Sequence, residues 1–296
     1  MHILDRTDSF HFEHSGSLTI DMELKMCAPS TEAVHDDTRD LDRRSVAEII
    51  EAIHAEDHKA WLGVGKVLAE VAAAADVLAG VLGRGGHWFN VGAGTSGRLG
   101  ALDAAEIPPT FGVPPGRVQA VIAGGLPALS RAVEGAEDDA ESGATALRER
   151  GLARGDAVVA LSASGTTPFT LGCLEAARAL GAHTIGITCD ACSPLARAAA
   201  ISIAPAVGPE VIAGSTRMKG GLAQKMILHL LSTTVMVRLG CVSGNLMTCV
   251  RPVSRKLRER GERIVMILAE VDRKGAASLL ERTGGDIGRA VELASR

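Results

Sequence analysis

The spacing of apolar residues changes character several times along the chain. From residue 45 to about residue 82 they recur at helical intervals, with Val46, Ile49, Ile50 and Ile53 on one face and an alanine-rich stretch through Ala72 to Ala75. That pattern predicts helices ahead of the main fold. Between residues 86 and 207 five short β-prone runs, at 88–91, 118–123, 158–161, 184–188 and 201–204, alternate with helical segments. Parallel strands need helical crossovers and bury both faces, so this alternation predicts an α/β fold: a doubly wound five-stranded parallel sheet with helical N- and C-terminal additions. Beyond it, 215–239 and 253–268 read as long helices, with shorter ones at 276–282 and 287–295, so the C-terminal part is expected to be wholly helical. Gly284-Gly285 reads as a helix end. The expected organisation is a weakly structured leader at 1–29 with a possible strand at 17–24, a helical segment at 30–77, the sheet domain at 78–241 and a helical region at 242–296.

Composition narrows the chemistry. Of 296 residues 46% are hydrophobic but only 2% aromatic, with no Tyr, so the core is built from aliphatic side chains and base stacking is not an available binding mode. A net charge of −4 gives no basic footprint for nucleic acid or an anionic membrane, and any anionic ligand must be captured locally. No apolar stretch reaches the ~20 residues of a membrane span, and the N-terminus lacks the order of a secretion signal. Six cysteines, at 27, 173, 189, 192, 241 and 249, show no disulfide-framework spacing. A cytoplasmic protein is expected. Cys189 and Cys192 form a Cys-x-x-Cys without a second ligand pair, which reads as two small apolar residues after a strand, and no His/Asp/Cys cluster has metal-ligand spacing.

Two loops carry candidate chemistry. Gly92-Ala93-Gly94-Thr95-Ser96-Gly97-Arg98 and Ser162-Ala163-Ser164-Gly165-Thr166-Thr167 each stand where an apolar run meets a helical pattern. Both should lie at the carboxyl edge of the sheet, where ligands bind, and each opens a helix whose first N–H groups and hydroxyls can cradle an anion. The first loop satisfies Gly-x-Gly-x-x-Gly, but a dinucleotide turn wants an acidic residue roughly 20 residues on, and the second run ends in Gly124-Gly125. A phosphomonoester, such as a sugar phosphate, fits the pair of loops better than a dinucleotide. His87 and His183, at strand starts, and mid-helix His229 read as structural.

Three segments in order carry a resemblance: residues 91–100 with Leu102-Asp-Ala-Ala-Glu-Ile-Pro-Pro109, then Ala132-Val-Glu-Gly-Ala-Glu-Asp138, then Gly208-Pro-Glu-Val-Ile-Ala-Gly-Ser-Thr-Arg-Met-Lys219. From about Thr31 onward the chain resembles the N-acetylmuramic acid 6-phosphate etherases and the related glucokinase regulatory proteins. The resemblance implies a sugar isomerase (SIS) domain, a homodimer with its site near the subunit interface, no cofactor, and cleavage of the lactyl ether of the sugar phosphate. It departs from the family at Thr166, where an arginine is usual, and at Thr31-Glu-Ala-Val-His-Asp36, which lacks the usual Arg-Asn pair; both bear on specificity.

Elimination of an ether needs a base for the proton beside the carbonyl of the ring-opened sugar and an acid for the departing oxygen. The family's two functional glutamates map onto Glu106, expected as the acid, and Glu137, expected as the base. Pro108-Pro109 are expected to end the first loop's helix just after Glu106, placing that acid at an electronegative helix terminus. Substrate contacts are expected from Gly94, Thr95, Ser96, Gly97, Arg98, Ser162, Ser164, Gly165, Thr167, Glu210, Ser215 and Thr216, with Glu210 touching sugar hydroxyls or serving as an alternative base. Ten helical residues between Ser96 and Glu106 span about 15 Å, so Glu106 is expected to serve a site shared across a dimer. A non-catalytic phosphosugar-binding regulator and an aldose–ketose isomerase remain open alternatives.

Overall fold

The computed structural model describes residues 30–250 and 254–295; the strand expected at 17–24 lies outside them. Three short 3-10 turns lead into α1 (Val46–Gly65), which Ser45 and Glu48 open with a reciprocal capping box. Helix α2 (Leu68–Gly83) follows, then β1 (Trp88–Gly92), α3 (Gly94–Phe111), β2 (Val118–Ile122), α4 (Ala140–Glu149), β3 (Ala157–Leu161), α5 (Pro168–Leu180), β4 (His183–Ile187), α6 (Pro194–Ala198) and β5 (Ile201–Ile203).

The five strands form one all-parallel sheet in the order β2-β1-β3-β4-β5, as the apolar runs predict. The order of strand addition reverses at β1, with β2 on one side and β3 on the other, and Gly92 pairs with Leu161, so the two hydroxyl-rich loops leave adjacent parallel strands side by side. That is the switch-point crevice where doubly wound sheets bind ligands. Alternation along β3 sorts the core into two layers. Ala157, Val159 and Leu161 face one cluster with Leu78, Trp88, Leu228 and Leu231, from the side covered by α2, α3 and α7 (Lys219–Arg238). Val158 and Ala160 face the other, with Phe89, Leu147, Phe169 and Leu174, beneath α4 and α5.

Four expectations need correction. The boundary placed between 77 and 78 falls inside α2, a continuous helix whose buried Ala74, Ala75, Leu78, Val81 and Leu82 pack on the sheet. Helix α7 begins at Lys219 rather than 215, because Gly214 at φ +74° and the turn through Met218 precede it. The C-terminal part is not wholly helical: β6 (Val242–Ser243) and β7 (Leu246–Met247) pair antiparallel around Gly244-Asn245, a two-residue hairpin loop. Helices α8 (Arg255–Ala269), α9 (Arg273–Arg282) and α10 (Ile287–Ala294) then build a separate cluster on Val250, Ile264, Val265, Leu280 and Ile287. Finally, α3 runs through Pro108 and Pro109 to Phe111, so Glu106 does not close it. Ile107 is buried, both prolines have φ suited to a helix, and Gly112 in the left-handed region caps the end by donating to Pro108 O at 2.9 Å. Among the described residues no helix is long and apolar enough to cross a membrane.

Candidate active site

Three segments meet at the carboxyl edge. In the first loop, Gly94 turns the chain at φ +50° and starts α3, leaving the N–H groups of Gly94, Thr95 and Ser96 at the helix entrance. Gly97 is required for close packing: a Cβ there would sit 2.6 Å from both Gly92 O and Ile122 Cγ1. The second loop is knit by its own hydroxyls. Ser162 Oγ lies 2.8 Å from Thr167 Oγ1 and accepts from Gly165 N at 3.0 Å, while Ser164 Oγ lies 3.0 Å from Thr166 Oγ1. Gly165 adopts φ +69° against Ser193 and Thr188, a place with no room for a side chain. Thr166 is exposed.

The third segment, 208–218, delivers the start of α7 between the two loops. A Cβ on Gly220 would lie 3.2 Å from Ala163 Cβ, and one on Gly221 would lie 3.3 Å from Thr95 Cγ2. Ser215 and Thr216 are half-buried in this turn, and Thr216 O accepts from Gly221 N at 2.8 Å. Glu210 neither faces open space nor pairs with the Lys219 ammonium. It is fully buried, and its carboxylate accepts from Lys219 N at 3.0 Å and Gly220 N at 2.8 Å, capping α7. Arg98 is likewise committed elsewhere: its guanidinium donates to Ala128 O at 2.8 Å and Arg131 O at 3.2 Å, pinning the strand-to-turn segment after β2.

Beneath the third segment lies an ion cluster that has no local signal in the sequence. The Lys219 ammonium, 1% exposed, reaches Glu56 of α1 at 2.5 Å, and the same carboxylate meets Lys59 at 2.6 Å and His35 Nε2 at 3.1 Å. Burial alone would push Glu56 up, but Lys219, Lys59 and His35 outweigh it and hold the carboxyl at about 2. The N-terminal turns strap this corner, with Thr38 Oγ1 donating to Val211 O at 2.9 Å and Gly214 N to Thr31 O at 3.2 Å.

The two candidate acids are placed differently from the loops and from each other. Glu137 sits exposed in a 3-10 turn, Ala136–Asp138, packed against α5, the helix that follows the second loop. Glu106 lies on α3 beyond the loops, its side chain 62% exposed, with Lys225 of α7 at 3.9 Å. Helices α3 and α7 share a polar seam: Ser96 Oγ donates to Gln224 Oε1 at 2.9 Å, and Ser232 Oγ donates to Asp103 Oδ1 at 2.9 Å. Asp103 is 3% exposed, and its burial pushes the carboxyl up to about 6, against the Ser232 bond. Gln224 and Asp103 escape motif reading; their only signal is a polar residue on the apolar face of a helix. Cys189 is buried and its thiol pushed up to about 12 by that burial, which fits the inert reading of the Cys-x-x-Cys. No group of three or more His, Cys, Asp or Glu is placed to hold a metal among the described residues.

The glucokinase regulatory protein N-terminal SIS domain family matches residues 70–178, and the SIS domain family matches residues 142–234. An N-acetylmuramic acid 6-phosphate etherase of Symbiobacterium thermophilum is 49% identical over 261 residues, which cover 88% of this chain and 87% of the relative. The chain belongs to the N-acetylmuramic acid 6-phosphate etherase family. Etherases of Cronobacter sakazakii and Aeromonas hydrophila, at 47% and 43% identity, cover 88% and 92% of this chain and 88% and 91% of their own. Among solved structures, a phosphoheptose isomerase from Francisella tularensis superposes with a TM-score of 0.50 at 19% identity, covering 65% of this chain and 98% of its own. A protein of Escherichia coli gives the same score and identity over 68% of this chain and 97% of its own. At that identity these two speak for the SIS fold of this etherase-family chain and nothing finer.

Proposed function

We propose that this chain cleaves the D-lactyl ether of N-acetylmuramic acid 6-phosphate, giving N-acetylglucosamine 6-phosphate and D-lactate, as part of amino-sugar recycling from the cell wall. What carries the reading is the identity of 43–49% to etherases across most of the chain, and Glu106 and Glu137 stand where the sequence resemblance implies two functional glutamates. Neither the regulator nor the isomerase alternative has comparable support.

The site divides the work. Helix entrances and hydroxyls of Gly94, Thr95, Ser96, Gly97, Ser162, Ser164, Gly165 and Thr167 hold the phosphoryl group, and Ser215 and Thr216 close the third side. Arg98 and Glu210 act as positioning residues, through the bonds that already occupy them. Glu137 removes the C2 proton of the ring-opened sugar while Glu106 protonates the departing lactate oxygen. Water then adds to the unsaturated aldehyde, with a proton returned to C2. The C3–O ether bond breaks as the C2–C3 double bond forms, a C3–O bond to water replaces that double bond in the second step, and each carboxyl regains its starting state.

Glu106 is too far along α3 to meet a sugar held at its own first loop, so we assign it to a site completed by a second copy of the chain. Support comes from the apolar side chains left exposed on α1 (Val46, Ile50, Trp61 and Leu62) and beside Glu106 (Leu102 and Leu222). The N-terminal turns with α1, the sheet domain that follows, and the hairpin with α8 to α10 then serve as strap, phosphosugar domain and C-terminal appendix, in a protein we place in the cytoplasm. Incubation of purified protein with N-acetylmuramic acid 6-phosphate should release D-lactate stoichiometrically. Sugar phosphate binding without lactate would leave the regulator reading in its place. Mixed dimers of a Glu106→Gln chain with a first-loop variant should recover part of the activity; no recovery overturns sharing.

A further inference from the structure

We infer that Gln224 is a positioning residue of the phosphate grip, its side-chain amide setting which way the Ser96 hydroxyl points. This rests on reading the first loop as the phosphoryl site. Ser96 is the third residue of α3 and half-buried, and its hydroxyl donates to Gln224 Oε1 at 2.9 Å. Gln224 stands on α7 one turn beyond Gly221, the residue that abuts Thr95. It is 1% exposed, and its Nε2 has no hydrogen-bond partner among the described residues.

Those facts conflict with a purely structural role. A phosphoryl group offers only acceptors, so a hydroxyl that donates to Gln224 presents it with lone pairs and repels it. The amide is nearly symmetric in shape. Turned by half a revolution, Nε2 takes the place of Oε1 and donates to Ser96 Oγ, which frees the Ser96 hydrogen for a phosphoryl oxygen. Either way round, the buried amide leaves one of its polar atoms without a partner among the described residues, a standing cost to the chain. A leucine or methionine would fill much the same volume without that cost. Neither could donate a hydrogen bond to Ser96 Oγ.

Substitution separates the roles. Gln224→Leu should raise KM for N-acetylmuramic acid 6-phosphate, and weaken N-acetylglucosamine 6-phosphate binding measured by calorimetry, by about tenfold, the scale of one hydrogen bond to a charged group. Turnover at saturation should change little, and the thermal midpoint should stay level or rise. Gln224→Glu, an acceptor only when ionised, should weaken binding at least as much. In a Ser96→Ala background, Gln224→Leu should cost nothing further, because the hydroxyl it orients is gone. Unchanged KM and binding, equal losses in both backgrounds, or a lowered midpoint that tracks the binding loss would each overturn the role of Gln224. A parent chain that releases lactate while Gln224 variants match it overturns this inference alone. A parent chain that binds neither sugar phosphate overturns the phosphoryl-site reading with it.

Discussion

The phosphate end and the proton end of the candidate site are built by opposite means. Around the loops several polar groups are held by fixed partners: Ser162 holds Thr167 and Gly165 N, Glu210 caps α7, and Lys219 is locked to Glu56 out of contact with water. Glu106 and Glu137 are exposed, one with a loose lysine neighbour and the other in a short turn. A group that must bind one rigid, charged fragment benefits from a preformed cradle. On the proposed function, groups that exchange protons with a flexible ring-opened sugar would be left accessible, with burial of the chemistry deferred to the arrival of substrate or of a second copy.

The sharpest way to break that contrast is at the proton end. Glu137→Gln or Glu106→Gln should lower kcat by about 10²–10⁴-fold, the usual contribution of a general acid or base. Sugar phosphate affinity should persist, and the thermal midpoint should stay within the roughly ±0.5 kcal/mol of an ordinary surface change. Lactate release and calorimetry on the same variants check both halves. If either substitution unfolds the chain, the proton end is less independent than its exposure suggests.

At the phosphate end the order reverses, with stability lost before chemistry. Glu56→Ala strands the Lys219 ammonium, and breaking a buried pair in this way costs about 3–5 kcal/mol. Denaturant unfolding should show the drop. The same carboxyl also sets an acid limit: its folded value of about 2 lies below the ordinary 4.5, so its stabilisation is present above pH 4.5 and is lost as pH falls toward 2. The cluster should therefore loosen between those values, by about 3 kcal/mol in all for a shift of this size.

Asp103 tests the seam between the two ends with the opposite sign. Its folded value of about 6 exceeds the ordinary 3.8, so the fold is penalised as pH rises from about 4 to 6. Asp103→Asn should stabilise the protein above pH 6, by up to about 3 kcal/mol, and leave it unchanged below pH 4. Urea midpoints across that range would show the crossing. The smallest effect is remote from both ends: Ser45→Ala removes the α1 cap and should cost about 1 kcal/mol with activity intact.

Local patterns made the sheet and both loops readable. Five apolar runs fall on five strands because a strand buried on both faces leaves a continuous apolar signature, and the glycine-and-hydroxyl turns stand where the strands end. Partnerships across long stretches of chain were not readable. Arg98 and Glu210 look like ligand contacts beside their loops, yet one holds carbonyls 30 and 33 residues on and the other caps a helix nine residues on. Glu56 and Lys219 are 163 residues apart, and nothing near either indicates the other. Pro108-Pro109 misled for a related reason: the local preference to stop was overridden by burial of Ile107 and by a glycine cap five residues after it.

The Glu56–Lys219 pair bears on where this fold can be cut. The SIS-type match begins at residue 70, and excision there would look natural on a diagram of the chain. The severed piece would keep a lysine sealed in its interior while its counter-charge stayed on the discarded helix, so the smallest autonomous fragment has to reach back through α1.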